Sequence, residues 1–357
     1  MAPKIFLTGA SGYVGGDVLH ALLSAHPDWE SSITVLLRNK AYEAAFKSAY
    51  PSINLFFASL DDSHAIADEV SKHELVVHFA LSADHLPSAE AIVAGLNKRG
   101  GGIYIHTSGT DVLLDPRADL HPTGQVRVID DWDGIGVVTS LPDDAPHRNV
   151  DKFVLASGSD TLKTAIICPS TVYGTGRGLI SQRSDQIPNL AKLILQQKQG
   201  LQLADGQTFW NSVHVYDLAR LYVRFVDDAI GDSSGSDLES TSARGLLTWN
   251  RDGYYLVESG RYFWGEIARQ ITSEAYRLGL LPAEKVVVVD GVLGRDVLAP
   301  AGRPVGNYAV EAKTVRARRL LGWEAVEGSL QDEIPAIVRA EAVRLDLKRD
   351  GEARAVW

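Results

Sequence analysis

Three glycines stand three residues apart in Thr8-Gly9-Ala10-Ser11-Gly12-Tyr13-Val14-Gly15, between the apolar run Ile5–Thr8 and a stretch with helical periodicity. A strand, a glycine-rich turn and a helix in that order is the context in which backbone cradles a dinucleotide. Gly9 permits the tight turn, Gly12 lets the chain approach a pyrophosphate, and Gly15 lets the helix press on the strand. The helix N-terminus adds unpaired N–H groups and a partial positive charge. Thr8, Ser11, Tyr13 and Val14 share the loop and are expected to bind cofactor with it. At the end of the second strand, where an acidic residue would hold the ribose diol of NAD, the chain reads Leu37-Arg38-Asn39-Lys40. Arg38 and Lys40 cannot accept from a hydroxyl but can pair with a 2′-phosphate, so NADP(H) is the expected cofactor and NAD(H) the alternative.

Such a loop needs a sheet behind it. Apolar runs at Ile5–Thr8, Ile33–Leu37, Asn54–Phe57, Leu75–Phe79, Gly102–His106 and Thr164–Cys168 alternate with amphipathic stretches, as in β-α-β units that build a parallel sheet covered on both faces. Val14, Val18, Leu19, Leu22 and Leu23 fall on one face of the first crossover helix. The expected fold is α/β, a Rossmann-type doubly wound parallel sheet with a smaller, mainly C-terminal substrate lobe. Residues 1–174 form the core, to which 211–230 return, and 175–357 form most of the lobe, interleaved with the core. Beyond Thr175 helical segments are expected to outnumber strands. Arg261 to Leu280 carries a helical packing stripe, and Gly231 to Ser242 reads as an exposed loop.

The composition fits an ordinary globular protein, with 45% hydrophobic and 22% charged residues. A net charge of −10 argues against nucleic acid as a partner. The single cysteine, Cys168, cannot form an internal disulfide, and no Cys or His pairs stand at zinc-ligand spacing, so no metal is expected. His73, His78 and His85 are too irregularly spaced to read as a site. No apolar run reaches the roughly 20 residues of a membrane span, and the first strand begins too early for a leader, so a cytoplasmic protein is expected.

Further motifs give the chain a resemblance to the extended short-chain dehydrogenase/reductase family, epimerase/dehydratase-like, and within it to atypical fungal members. Val76-Val77-His78-Phe79-Ala80 resembles the family's fourth-strand motif, whose alanine lies against the cofactor. Ile105-His106-Thr107-Ser108-Gly109-Thr110 resembles its fifth-strand serine motif, with Thr107 on the cofactor side. Cys168-Pro169-Ser170-Thr171-Val172-Tyr173-Gly174 is similar to the segment whose backbone meets the nicotinamide, which implicates Pro169 and Val172. Val213–Ala219 and Ala317–Trp323 match later family segments.

Two departures qualify what the resemblance implies. Where the family places an aspartate near the adenine, this chain has Ser59 followed by Leu60. The family's Tyr-x-x-x-Lys pair is absent from the helix expected over Ala145 to Ser157, with Pro146 in its first turn. One register puts Asp143 at the tyrosine and His147 at the lysine; a second puts His147 at the tyrosine and Asp151 at the lysine; a third pairs Arg148 with Lys152. His147 is therefore the first choice as proton donor, since an imidazole works as acid or base near neutrality. Ser108 is expected to polarise the substrate, with Asp143 and Tyr173 as further catalytic candidates and His147 also within reach of the ribose.

The reading that follows is an NADP(H)-dependent oxidoreductase reducing a carbonyl, imine or activated alkene of a small organic molecule. A redox-neutral isomerase, epimerase, dehydratase or cyclase is the alternative, and a non-catalytic dinucleotide sensor a third. Tyr254, Tyr255, Trp210 and Trp249 could line a pocket for an aromatic or polycyclic substrate, with Gln182, Arg183 and Asn211 as polar residues of the lobe. A homodimer is left open, because dimer contacts look like any other apolar surface.

Overall fold

The computed structural model describes residues 2–113, 127–231, 246–289 and 310–347. In chain order its first part runs β1 (Ile5–Thr8), α1 (Tyr13–Ala25), β2 (Ile33–Leu37), α2 (Glu43–Ala49), β3 (Asn54–Phe57), α3 (Ser63–Val70), β4 (Leu75–His78), α4 (Leu86–Arg99) and β5 (Gly102–Thr107). Next come β6 (Arg127–Asp130), α5 (Ile135–Thr139), α6 (Arg148–Ala156), β7 (Leu162–Pro169) and β8 (Thr171–Tyr173). Then follow α7 (Gln186–Gln197), β9 (Gly200–Leu203), β10 (Phe209–His214), α8 (Val215–Ile230), β11 (Tyr254–Val257) and β12 (Gly260–Phe263). The described chain closes with α9 (Trp264–Arg277), β13 (Val286–Val289), β14 (Val310–Lys313), α10 (Arg316–Leu321) and α11 (Leu330–Arg344).

Seven parallel strands form the central sheet in the order β11-β7-β5-β4-β1-β2-β3. The order reverses direction at β1, so the crevice at the carboxyl ends of β1 and β4 is where such a sheet takes a ligand. Alternation along β1 explains why Ile5, Phe6 and Leu7 are all apolar: Ile5 and Leu7 face the layer that holds α1 and α8, whereas Phe6 faces the layer of α3, α4 and α6. A third apolar cluster, built by α7, β9, α9 and α11, forms the second lobe.

The sheet is the expected one, with differences at its ends. β4 stops at His78 rather than Phe79, β5 runs on to Thr107, and β7 spans Leu162–Pro169. The helix expected over 145–157 begins only at Arg148, because His147 has a left-handed backbone (φ 65°) that a continuing helix cannot contain. Pro146 thus lies in the turn before the helix, not in its first turn. The stripe from 261 is helical over Trp264–Arg277; Arg261 to Phe263 instead pair antiparallel with β10. Past Thr175 the described residues hold six short strands against five helices, contrary to expectation; strands of four to six residues leave little periodicity in a sequence. Gly231 caps α8, and the rest of the loop read at Gly231 to Ser242 lies outside the described residues.

Candidate functional site

The turn after β1 is shaped for close backbone approach. The Gly12 N–H donates to the Gly9 carbonyl at 2.8 Å, and Gly9 has φ +78°. A β-carbon on Gly9 would lie 2.8 Å from Phe79 Cβ, and one on Gly15 would lie 2.5 Å from the Gly9 carbonyl oxygen. The Thr8 hydroxyl accepts from the N–H groups of Phe79 and Ala80, both at 3.1 Å, which ties this turn to the end of β4 and sets Ala80 beside it. Gly12 caps α1 with extended backbone, and no side chain satisfies the first turn. A helix start left open in this way is an anion site in waiting. Ser11 is half-buried in the turn and Val14 packs on the core. Tyr13 reaches across to donate to the Gly174 carbonyl at 2.7 Å; burial, and then the Asp17 carboxylate, hold its phenol well above the ordinary range.

Arg38, Asn39 and Lys40 are all exposed at the end of β2. Among the described residues Arg38 makes no hydrogen bond or ion pair, Lys40 Nζ stands 5.7 Å from the Phe57 ring, and the Asn39 side chain caps the next turn through Ala41 N–H at 3.0 Å. Beyond β3, Ser59 donates its hydroxyl to Asp61 at 3.1 Å and its N–H to Asp62 at 2.7 Å, with Leu60 half-buried next to it. Residues 8–15, 38–40, 59–60 and 80 therefore follow four neighbouring strands at one edge of the sheet.

At the end of β5 the residues expected to do chemistry separate. Ser108 is buried, and its hydroxyl donates to Asp151 Oδ2 at 3.0 Å, an oxygen that also accepts from Tyr254 at 2.8 Å. Thr107 shares a 2.7 Å hydrogen bond with Tyr222. His147 is buried, with Nδ1 2.6 Å from Asp84 Oδ1 and Nε2 4.0 Å from Asp111 Oδ2. Asp143 is not brought to this group: it lies at the surface, two-thirds exposed, and both its oxygens pair with Lys152 at 2.8 Å. Tyr173 is buried in the second lobe, donates to the Gly328 carbonyl at 2.7 Å and has its phenol pushed up to about 12 by burial. Pro169 ends β7, and Val172 packs half-buried against the core. Gly174 (φ +92°) passes so close to His214 that a β-carbon would sit 2.2 Å from its Nε2.

The aromatic residues considered for a pocket are packing residues. Trp210 stacks edge-on with Trp264 at 5.2 Å, Tyr255 with Phe225 at 4.9 Å, and Trp249 with Phe225 at 5.6 Å. Arg183 is held by Glu341 at 2.8 Å, Asn211 bridges to Ala312 N–H at 2.8 Å, and Gln182 donates to the Gly178 carbonyl at 3.0 Å.

Several polar residues escaped the sequence reading. Asp84 and Asp111 flank His147. Asp17, fully buried in α1, binds Arg177 at 2.6 and 3.0 Å. A buried chain runs from Ser88 Oγ to His78 (3.3 Å), Tyr104 (2.8 Å) and His106 (3.1 Å), ending 3.8 Å from Asp151. Burial pushes the His78 imidazole down to about 3 and that of His106 well below its ordinary value. The available signal was register: His78 and His106 are partners across β4 and β5. Among the described residues no helix is long and apolar enough to cross a membrane, and no cluster of three or more ligating side chains is set to hold a metal.

No protein-family model matches the chain. Among solved structures, DesIV, a dTDP-glucose 4,6-dehydratase from Streptomyces venezuelae with NAD bound, superposes with a TM-score of 0.64 at 16% identity, covering 95% of this chain and 97% of its own. UDP-glucose 4-epimerase from Thermotoga maritima gives 0.62 at 13% identity, covering 96% and 99%. An uncharacterized protein of Schizosaccharomyces pombe is 23% identical over 68% of this chain and 76% of its own length. The oxidase UcsJ of an Acremonium species is 33% identical over 97% of this chain and all of its own length. On a Rossmann-type fold shared with these solved structures, the chain belongs to the family of the fungal oxidase UcsJ.

Proposed function

We propose that the protein is an NADP(H)-dependent oxidoreductase that reduces a carbonyl, imine or activated alkene of a small organic molecule. The observation that carries this reading is the pairing of a glycine cradle that no β-carbon could enter with the exposed, unpaired Arg38 one strand away. The cradle and the open start of α1 suit a pyrophosphate, and Arg38 with Lys40 suits a 2′-phosphate better than a diol. The name of the relative UcsJ, an oxidase, and the NAD bound to DesIV support redox chemistry with a nicotinamide.

In this reading Thr8, Gly9, Ser11, Gly12, Tyr13, Val14 and Gly15 hold the diphosphate end. Ser59, Leu60, Ala80 and Thr107 line the cofactor's path, and Pro169 and Val172 its nicotinamide end. Bound there, the dinucleotide supplies the electrons and the carbon-bound hydrogen of the reduction. The chain supplies the proton, for which His147 is the candidate group. Ser108 acts as a positioning residue: its bond to Asp151 fixes α6, and with it His147, against the end of β5.

Calorimetric titration with NADPH and NADH tests the reading. NADPH should bind more tightly than NADH, and Arg38→Ala should weaken NADPH about tenfold or more, as expected for loss of a charge-assisted hydrogen bond. Absence of binding for both nucleotides would overturn the oxidoreductase assignment. An Arg38→Ala variant that binds NADPH as tightly as the parent would overturn the preference for NADP(H).

A further inference from the structure

We infer that Asp84 and His147 form a proton-transfer dyad, in which Asp84 fixes the imidazole tautomer and leaves Nε2 as the atom that exchanges the proton. The inference deepens the oxidoreductase reading and rests on it for the reaction served.

The backbone gives the first argument. His147 takes φ 65° and ψ −14°, a left-handed conformation that costs a residue with a β-carbon about 1–2 kcal/mol. Glycine would hold this turn without that cost, and strain of this kind persists where the surroundings fix the side chain. Here the ring is fixed: its side chain is 4% exposed, and Nδ1 lies 2.6 Å from the carboxylate of Asp84.

Proton placement follows from the partners. A carboxylate only accepts, so the hydrogen of this bond sits on Nδ1. Nε2 makes no hydrogen bond among the described residues; its nearest carboxylate oxygen, on Asp111, is 4.0 Å away. Gly109 lies beside Nε2: a β-carbon there would stand 3.4 Å from it, at van der Waals contact. Asp84 follows β4, Gly109 and Asp111 follow β5, and His147 opens α6, so all four lie at the same edge of the sheet as the glycine turn.

In the reducing direction the imidazolium gives its Nε2 proton to the heteroatom of the bond being reduced. The N–H bond breaks and the heteroatom–H bond forms, while the carbon-bound hydrogen and both electrons come with the dinucleotide. A neutral imidazole remains, its Nδ1–H still on Asp84, and water returns a proton to Nε2. For an alkene the same proton goes to the carbon that bears the developing negative charge.

Long-range ¹H–¹⁵N spectra of protein labelled at histidine test the dyad without a substrate. They are recorded at a series of rising alkaline pH values until the pattern no longer changes. The His147 signal is assigned by its loss in His147→Gln. The expected result is an Nδ1–H pattern in the parent, kept in Asp84→Glu and lost to an Nε2–H or averaged pattern in Asp84→Ala. An Nε2–H pattern in the parent, or an Nδ1–H pattern unchanged in Asp84→Ala, would overturn the proposal. Asp84 is more than half exposed, so its replacement should leave the fold intact, and circular dichroism checks this. The two readings fail separately. Nδ1–H without NADPH binding would remove the cofactor reading and keep the tautomer assignment, whereas tight NADPH binding with Nε2–H would remove the dyad alone.

Discussion

Asp151 is a carboxyl group held out of water, at 1% exposure, with its two oxygens treated unequally. Oδ2 accepts from Ser108 and Tyr254, while Oδ1 and the facing His106 Nε2, 3.8 Å away, have no hydrogen-bond partner. Burial raises this carboxyl from 3.8 to about 6, against the two hydrogen bonds that favour the ion. The folded chain therefore binds the proton more tightly than the unfolded one. The stability this brings is fully present below pH 3.8 and is lost as pH rises through 6, a change of roughly 3 kcal/mol. Asp151→Asn cannot ionise, and its amide can donate to His106. Its urea midpoint should lie above that of the parent at pH 8, and the difference should shrink toward pH 4. A midpoint below the parent's at pH 8 would show that the ionised carboxylate is the stabilising form. Ser108 and Asp151 were each visible in the sequence, one in a strand motif and one as a candidate for the lysine position. Their meeting with Tyr254 was not, because 43 and 103 residues separate the partners.

At the scale of elements, what pattern could show was the sheet, since strands buried on both faces are mostly apolar, and the six sequence runs all became strands of the central sheet. What it could not show was set by single backbone angles and by pairing at a distance. The left-handed turn at His147 shortens α6 by three residues at its start, a state that a histidine does not announce. The packing of α1 on the segment after β8 is another example. Gly16 meets Gly178 so closely that a β-carbon on Gly16 would be 3.0 Å from the Gly178 Cα, and next to this contact Asp17 receives both the side chain and the N–H of Arg177. Arg177→Ala leaves that buried carboxylate without its cation and should destabilise the protein by about 2 kcal/mol or more. Lys152→Ala breaks the exposed pair with Asp143, which water screens, and should lower stability far less. Urea unfolding of both variants checks the contrast; equal losses would mean that the Asp17 site does not lock α1 to this segment.

Across the whole molecule, the C-terminal stretch completes two cores at once. Ala317 and Trp323 belong to the cluster on the central sheet, whereas Leu330, Ile334, Val338 and Ala342 belong to that of the second lobe. Two buried aspartates clamp this stretch in place. Asp131 accepts from the N–H groups of Val315 (2.7 Å), Arg316 (2.9 Å) and Leu256 (3.0 Å). Asp217 accepts from those of Val326 (2.9 Å) and Glu327 (3.3 Å), and its carbonyl takes the Trp323 indole at 2.9 Å. Neither lobe can release the stretch without exposing its own apolar surface, so the two should unfold together despite having separate cores. Tryptophan fluorescence and far-ultraviolet circular dichroism should then give coincident urea transitions. Asp217→Ala removes two acceptors from partly buried N–H groups and leaves Arg220 without one of its carboxylates, which should lower stability by about 2–3 kcal/mol. If coupling runs through this stretch, the variant's two probes should also separate, with the lobe opening before the sheet. Separate transitions already in the parent would show that the lobes are independent. An unmoved midpoint in Asp217→Ala would show that apolar contacts alone hold the stretch.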